Sequence, residues 1–187
     1  MILFVNACVR PQSRTKRLAN YILQKIGHNV KEVVLETENI LPLNRKTLDY
    51  RTRLALKGVF DDSIFDLAKD FAAAEKIVIA APYWDLSFPS LLKCYIEQIN
   101  IIGLTFAYND AGKPYGLCKA DELIYVTTSG GTIFNEDFGY GYIKSLAQNF
   151  YGIKKVSCFK AENLDIIGAD VESILQKTEK EIDKIFE

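Results

Sequence analysis

Histidine is almost missing from this chain, with His28 standing alone. The four cysteines, Cys8, Cys94, Cys118 and Cys158, are far apart and form no C-x-x-C pair. A protein zinc site draws several such ligands together at short, recognisable spacings, so no metal ligand set is read here. Reduced thiols in the cytoplasm are the plain expectation. Long apolar runs are missing too: nothing approaches the ~20 residues of a membrane span. The opening MILFVNACVR is short and lacks the basic leader of a secretory signal. Charge of one sign is not in excess. The net charge of −1 makes no electrostatic case for nucleic acid, and basic residues cluster only between Arg10 and Arg17. Several motifs are absent as well. There is no G-x-G-x-x-G for a dinucleotide, no G-x-x-x-x-G-K-[ST] for a nucleoside triphosphate, and no G-x-S-x-G nucleophile elbow. Asn6 and Ala7 stand where a response-regulator receiver would carry acidic residues.

What is present is organised around Lys76–Gly103. Ile77, Val78, Ile79, Ala80 and Ala81 form an unbroken apolar run, the pattern of a strand covered on both faces, as in a parallel sheet. Pro82 ends the ladder because it has no N–H to donate. Tyr83, Trp84 and Phe88 then crowd one loop, and Trp84 is the only tryptophan. Pro89 is placed at a first helical position with Ser87 as its cap. Leu91, Leu92, Tyr95, Ile96 and Ile99 follow at helical spacing. The unit is strand, aromatic loop, helix.

The remaining chain repeats that unit. Apolar strands are expected at Ile2–Val5, Val30–Leu35, Glu122–Thr127 and Lys154–Lys160. Helical stripes follow at Leu18, Ile22 and Ile26, at Ile64 to Ala72, at Ile143 to Phe150 before Gly152, and from Val171 to Ile185. A small hairpin is expected around Asn109-Asp110-Ala111-Gly112. Residues 36–62 are polar and weakly patterned, and read as an excursion over the active face with a short helix. Five strands alternating with five helices, in 187 residues of which 49% are hydrophobic and 25% charged, describe one domain spanning 1–187. The fold class is α/β: a flavodoxin-like three-layer arrangement, with a five-stranded parallel sheet of order 2-1-3-4-5 and helices on both faces.

In that order the loops after strands one and three line a crevice at the topological switch, and the loop after strand four lies beside them. Arg10, Ser13, Arg14 and Thr15 bring hydroxyls and cations to a helix N-terminus, where free amides and the helix dipole favour an anion. Capping by Ser13 or Thr15 with solvated arginines accounts for the same residues. Gly130-Gly131 lets a backbone approach a flat ring closely, although turns use such pairs widely. A phosphate cradle, an aromatic wall and a bare backbone at one sheet edge together describe a site for FMN.

At these residues the chain resembles the flavodoxin-like NAD(P)H:FMN oxidoreductases, and most closely the FMN-dependent NADH azoreductase and quinone reductase family. The similarity is strongest in AAPYWDLSFPSLLKCYIEQINIIGLTFAY, in TTSGGT and in SRTKRLA. The resemblance implies that Ser13, Arg14 and Thr15 bind phosphate, with Arg10 nearby. It implies that Pro82, Tyr83, Trp84, Asp85 and Leu86 run along the isoalloxazine ring, and that Thr128, Ser129, Gly130 and Gly131 meet its pyrimidine edge. Tyr108 and Phe150 match positions on the substrate side. Trp84-Asp85 stands where the family often has Tyr-Asn, and Ser129 where some members carry Arg. Both departures bear on the nicotinamide and acceptor preferences.

The activity implied is NAD(P)H oxidation by FMN, with hydride passing through flavin N5 in ping-pong fashion to quinone, azo or nitro-type acceptors. The flavin carries the chemistry, so no catalytic side chain is assigned. A flavodoxin-type electron carrier or a non-catalytic flavin-binding protein is the alternative. The near-neutral surface charge counts against a carrier, which generally steers partners with strong acidity. The resemblance also implies a homodimer with a shared substrate site. Phe106, Tyr108, Phe150 and Tyr151 add to that expectation, as aromatics of the kind enriched at interfaces.

Overall fold

A computed structural model describes residues 1–186. Strand β1 (Ile2–Asn6) and helix α1 (Arg14–Ile26) lead to β2 (Val30–Val34), α2 (Arg45–Leu56), α3 (Asp66–Ala73) and β3 (Lys76–Ala80). Helix α4 (Ser90–Ile99) precedes a hairpin of β4 (Phe106–Tyr108) and β5 (Pro114–Gly116). Then come β6 (Glu122–Thr128), α5 (Tyr140–Leu146), β7 (Lys155–Ala161) and α6 (Val171–Phe186). The five long strands form one parallel sheet in the order β2-β1-β3-β6-β7, which is 2-1-3-4-5 when the hairpin is set aside.

Burial along each strand follows its place in the sheet. Every residue of β1 and β6 is buried, whereas the edge strands β2 and β7 alternate with exposed or half-buried positions. Successive side chains of a strand point to opposite faces, and two cores result. Leu3, Val5, Ile77, Ile79, Leu123 and Tyr125 meet Phe71, Leu92, Tyr95 and Ile143 on one face. Ile2, Phe4, Val78, Ile124 and Val126 meet Leu18 and Ile22 of α1, with Leu175 and Ile182 of α6, on the other. Each fully buried aliphatic or aromatic side chain contributes about 1.5–3 kcal/mol, so the buried alternation fixes the register and with it the level at which each loop leaves the sheet.

Four local expectations change. Helix α4 starts one residue later than Pro89, which serves as its N-cap position. Ser87 does not cap it; its Oγ donates 2.5 Å to the carbonyl of Phe138 instead. The helix around Ile143 ends in a wide π-type turn at Ala147–Tyr151, closed by Gly152 at φ 79°. The excursion forms α2, started by a reciprocal Asn44–Thr47 capping box. That helix does not lie over the loops at the sheet's carboxyl edge. Arg51 Nη1 donates 2.6 Å to Glu97 O, and Gln98 Nε2 donates 3.1 Å to Leu41 O, so the excursion packs along the end of α4. The pairings suit the charge: Arg51 is buried, and the unpaired carbonyls at a helix C-terminus are favourable acceptors for its cation.

Candidate cofactor site

The sheet ends in loops that remain hydrogen-bonded to one another. Ala7 N donates to Ala80 O, Ala81 N to Val126 O, and Tyr83 N to Thr128 O, all within 2.9–3.0 Å. Thr15 Oγ1 and Thr128 Oγ1 meet at 2.6 Å, both buried, and tie the first turn of α1 to the end of β6. These bonds hold three loop starts at one level, around a cleft of about 270 Å³. That is below the ~300–1,000 Å³ usual for a drug-sized ligand, so the cleft suits one end of a longer molecule.

The floor is the N-terminus of α1. Ser13 is its N-cap, and its Oγ accepts from Lys16 N at 3.2 Å. Its hydroxyl also lies within hydrogen-bond reach of the Cys8 sulfur, and the amides of the first turn have no backbone acceptor inside the helix. Arg10 and Arg14 supply the cations of the cleft and Asp165 a carboxylate. Cys8 also lines it. Burial pushes its thiol pKa up, and the sulfur lies 3.7 Å from Ala80 O as a donor. It is therefore held protonated and is a poor nucleophile.

The wall is a two-residue hairpin turn. Trp84 N donates to Ser87 O at 2.9 Å, and Ser87 N to Trp84 O at 2.8 Å. Asp85 and Leu86 between them hold φ of 49° and 67°. Leucine in that region is uncommon and costs about 1–2 kcal/mol, so the surrounding bonds impose the turn. Opposite stands the glycine loop, where Ser129 Oγ donates 2.5 Å to Gly131 O. A Cβ on Gly130 would lie 2.5 Å from Asp165 Oδ2, so a side chain there would push that carboxylate aside. Gly131 has open space where a Cβ would stand. Among the described residues the amides of Asp85, Leu86, Gly130 and Gly131 have no hydrogen-bond partner.

Of the residues singled out from sequence, Arg10, Ser13, Arg14, Thr15, Pro82, Tyr83, Trp84, Thr128, Ser129 and Gly130 line this one cleft. Asp85, Leu86 and Gly131 are exposed just beyond it. Tyr108 and Phe150 lie apart, in a ring cluster with Phe106 at 5.6 and 4.7 Å. Gln12, Leu164 and Asp165 line the cleft without having been expected. The last two come from the loop after β7, which zips onto the glycine loop: Asn163 N to Gly131 O, Leu164 N to Ser129 O and Asp165 N to Gly130 O, at 3.0–3.2 Å. The sheet order itself could have pointed there, because β7 neighbours β6. Phe106 and Tyr151, expected at a surface, are buried in their own chain, Tyr151 with its ring 4.8 Å from Phe71.

A doubly wound sheet whose switch-point cleft has a helix N-terminus with two arginines at one end and unpaired amides at the other has the architecture of a flavodoxin-like protein. The profile of a family described as a flavodoxin-like fold matches residues 1–186. The chain belongs to that family and, within it, to the FMN-dependent NADH quinone reductases and azoreductases. It is 34% identical to an FMN-dependent NADH:quinone oxidoreductase of Lachnoclostridium phytofermentans, covering 92% of this chain and 90% of that one. It is 33% identical to FMN-dependent NADH:quinone oxidoreductase 2 of Clostridium acetobutylicum, covering 95% and 93%. Among solved structures the azoreductase AzrA superposes with a TM-score of 0.82 at 25% identity, covering 99% of this chain and 98% of that one.

Proposed function

We propose that this chain is an FMN-dependent NADH oxidoreductase that reduces quinones, and azo or nitro compounds of similar flat shape. The observation that carries this reading is the set of four unpaired amides, Asp85, Leu86, Gly130 and Gly131, beside an N-terminal helix cradle. A flavin mononucleotide has the matching chemistry: an anionic phosphate at one end and a ring edge of hydrogen-bond acceptors at the other.

When bound, FMN supplies two-electron redox chemistry, accepting hydride from a nicotinamide and passing electrons to an acceptor. The chain's own part is to bind, orient and stabilise. Ser13 Oγ–H, the first amides of α1 and the two arginines hold the phosphate. The strained turn keeps the Asp85 and Leu86 amides fixed, so no reorganisation is needed when negative charge builds nearby. Trp84, 38% exposed, together with exposed Leu86 and Phe138, leaves one apolar face open to flat molecules. Donor and acceptor use that face in turn. Similarity to enzymes named for NADH favours NADH as donor. Tyr108 and Phe150 are assigned to the acceptor side by the resemblance.

The chain works as one domain. Its four free cysteines suit the cytoplasm, and no helix among the described residues is long and apolar enough to cross a membrane. Its working form is a homodimer, which would cover the apolar surface left open at Leu48, Leu56 and Ile102.

The test is spectroscopic. Purified protein should carry a yellow flavin that NADH alone bleaches and a quinone restores, and initial rates should give parallel double-reciprocal lines. Colour that NADH cannot bleach without a partner protein would favour an electron carrier. A protein that takes up no FMN would sink the reading.

A further inference from the structure

Asp165 is an unexpected neighbour for a phosphate. It is a carboxylate in the same cleft as Ser13 and Arg14, and a phosphate monoester carries about −1.5 to −2 charges near neutral pH. The backbone of Asp165 is nonetheless tied to the glycine loop, and its carboxylate is paired. Its amide is bonded to Gly130 O at 3.0 Å, and its Oδ2 occupies the space a Cβ of Gly130 would need. From there Oδ1 accepts from Arg14 Nη1 at 2.7 Å, and the same Nη1 donates to Leu164 O at 3.2 Å. Both hydrogens of Nη1 are thus engaged by the loop after β7. Nε and Nη2 have no partner among the described residues.

We infer that Asp165 sets the selectivity of the phosphate end of the cleft by competing with phosphate for Arg14. This rests on the reading of that end as the phosphate cradle. A guanidinium already paired with a carboxylate offers less net charge to a second anion, and the carboxylate itself repels that anion. Asp165 therefore lowers the preference for FMN over riboflavin below what the cleft would give with Arg14 unpaired. Its side chain is 62% exposed, so water and salt moderate the effect.

Asp165→Asn separates charge from placement, because the amide oxygen can still accept from Arg14. The full-length protein and this variant are compared by equilibrium dialysis against FMN and against riboflavin. The variant should bind FMN roughly fivefold more tightly, with riboflavin unchanged and the gain shrinking as salt rises. In an Arg14→Met background the same substitution should bring a distinctly smaller gain, from relief of direct repulsion alone. Should Asp165→Asn fail to fold, Asp165→Ser keeps a short polar side chain over Gly130 and serves the same comparison. An unchanged or lowered FMN-to-riboflavin preference in the variant overturns the inference while the phosphate reading stands. An equal gain in the Arg14→Met background also overturns it, since the carboxylate would then act without Arg14. No preference for FMN in either the unaltered protein or the Asp165→Asn variant overturns the phosphate reading and this inference together.

Discussion

Leu86 shows how one residue can carry a conformation its own chemistry disfavours. Its side chain is more than half exposed, so little burial compensates for a backbone at φ 67°. The two hydrogen bonds between Trp84 and Ser87 supply the compensation, and Ser87 is anchored in turn to Phe138 O. Replacing Leu86 should therefore follow backbone preference rather than hydrophobicity. Leu86→Gly should be more stable than Leu86→Val by about 1–2 kcal/mol, because a β-branched side chain is worst placed in the left-handed region. Urea unfolding midpoints of the two variants check this. A valine variant as stable as the glycine one would mean that the turn relaxes and that its amides are not preorganised.

At the scale of elements, a buried carboxylate joins three strands at the edge away from the cleft. Glu122 of β6 is 1% exposed. Lys76 Nζ of β3 donates to its Oε2 at 2.9 Å, and Lys155 Nζ of β7 ion-pairs with its Oε1 at 2.8 Å. Burial pushes the carboxyl pKa up, but the two lysines outweigh it and hold the value below the usual glutamate range. A group whose pKa is depressed on folding stabilises the fold above its unfolded pKa of about 4.3. That contribution is lost as pH falls from about 5 through the lower folded value. Glu122→Gln should then cost about 2 kcal/mol at pH 7, moderated by the partly exposed lysines, and the difference from the unaltered protein should narrow below pH 4. Denaturant unfolding at pH 7 and at pH 3.5 measures both. A gap that persists at pH 3.5 would assign the loss to packing rather than charge.

For the whole molecule, the apolar surface around α2 is the feature one copy leaves unresolved. Leu56 is 83% exposed, and Leu48 and Ile102 beside it are also open. If a second copy covers them, light scattering should give twice the chain mass, and Leu56→Glu should shift the protein toward monomer because a charge would be buried at the contact. NADH-dependent quinone reduction, followed across dilution, then shows whether the site needs the partner. A fully active monomer would remove the shared-site reading while leaving flavin binding untouched.

Much of the fold was legible along the chain because it depends on local periodicity. The unbroken run Ile77–Ala81 has the pattern of a strand covered on both faces, and the alternation of such runs with helical stripes led to a parallel doubly wound sheet. Ser13, Pro82 to Trp84 and Thr128 to Gly130 could be placed at one edge because each follows a strand directly, and a strand's direction decides where its loop emerges. What lay beyond reach depended on partners distant in sequence. Ser87 chose Phe138 over the start of α4, Arg51 turned the excursion toward the end of α4, and Phe106 and Tyr151 found space in their own core. Asp165 reaches Arg14 across 151 residues of chain. Periodicity records which face a residue presents, and only packing records what that face meets.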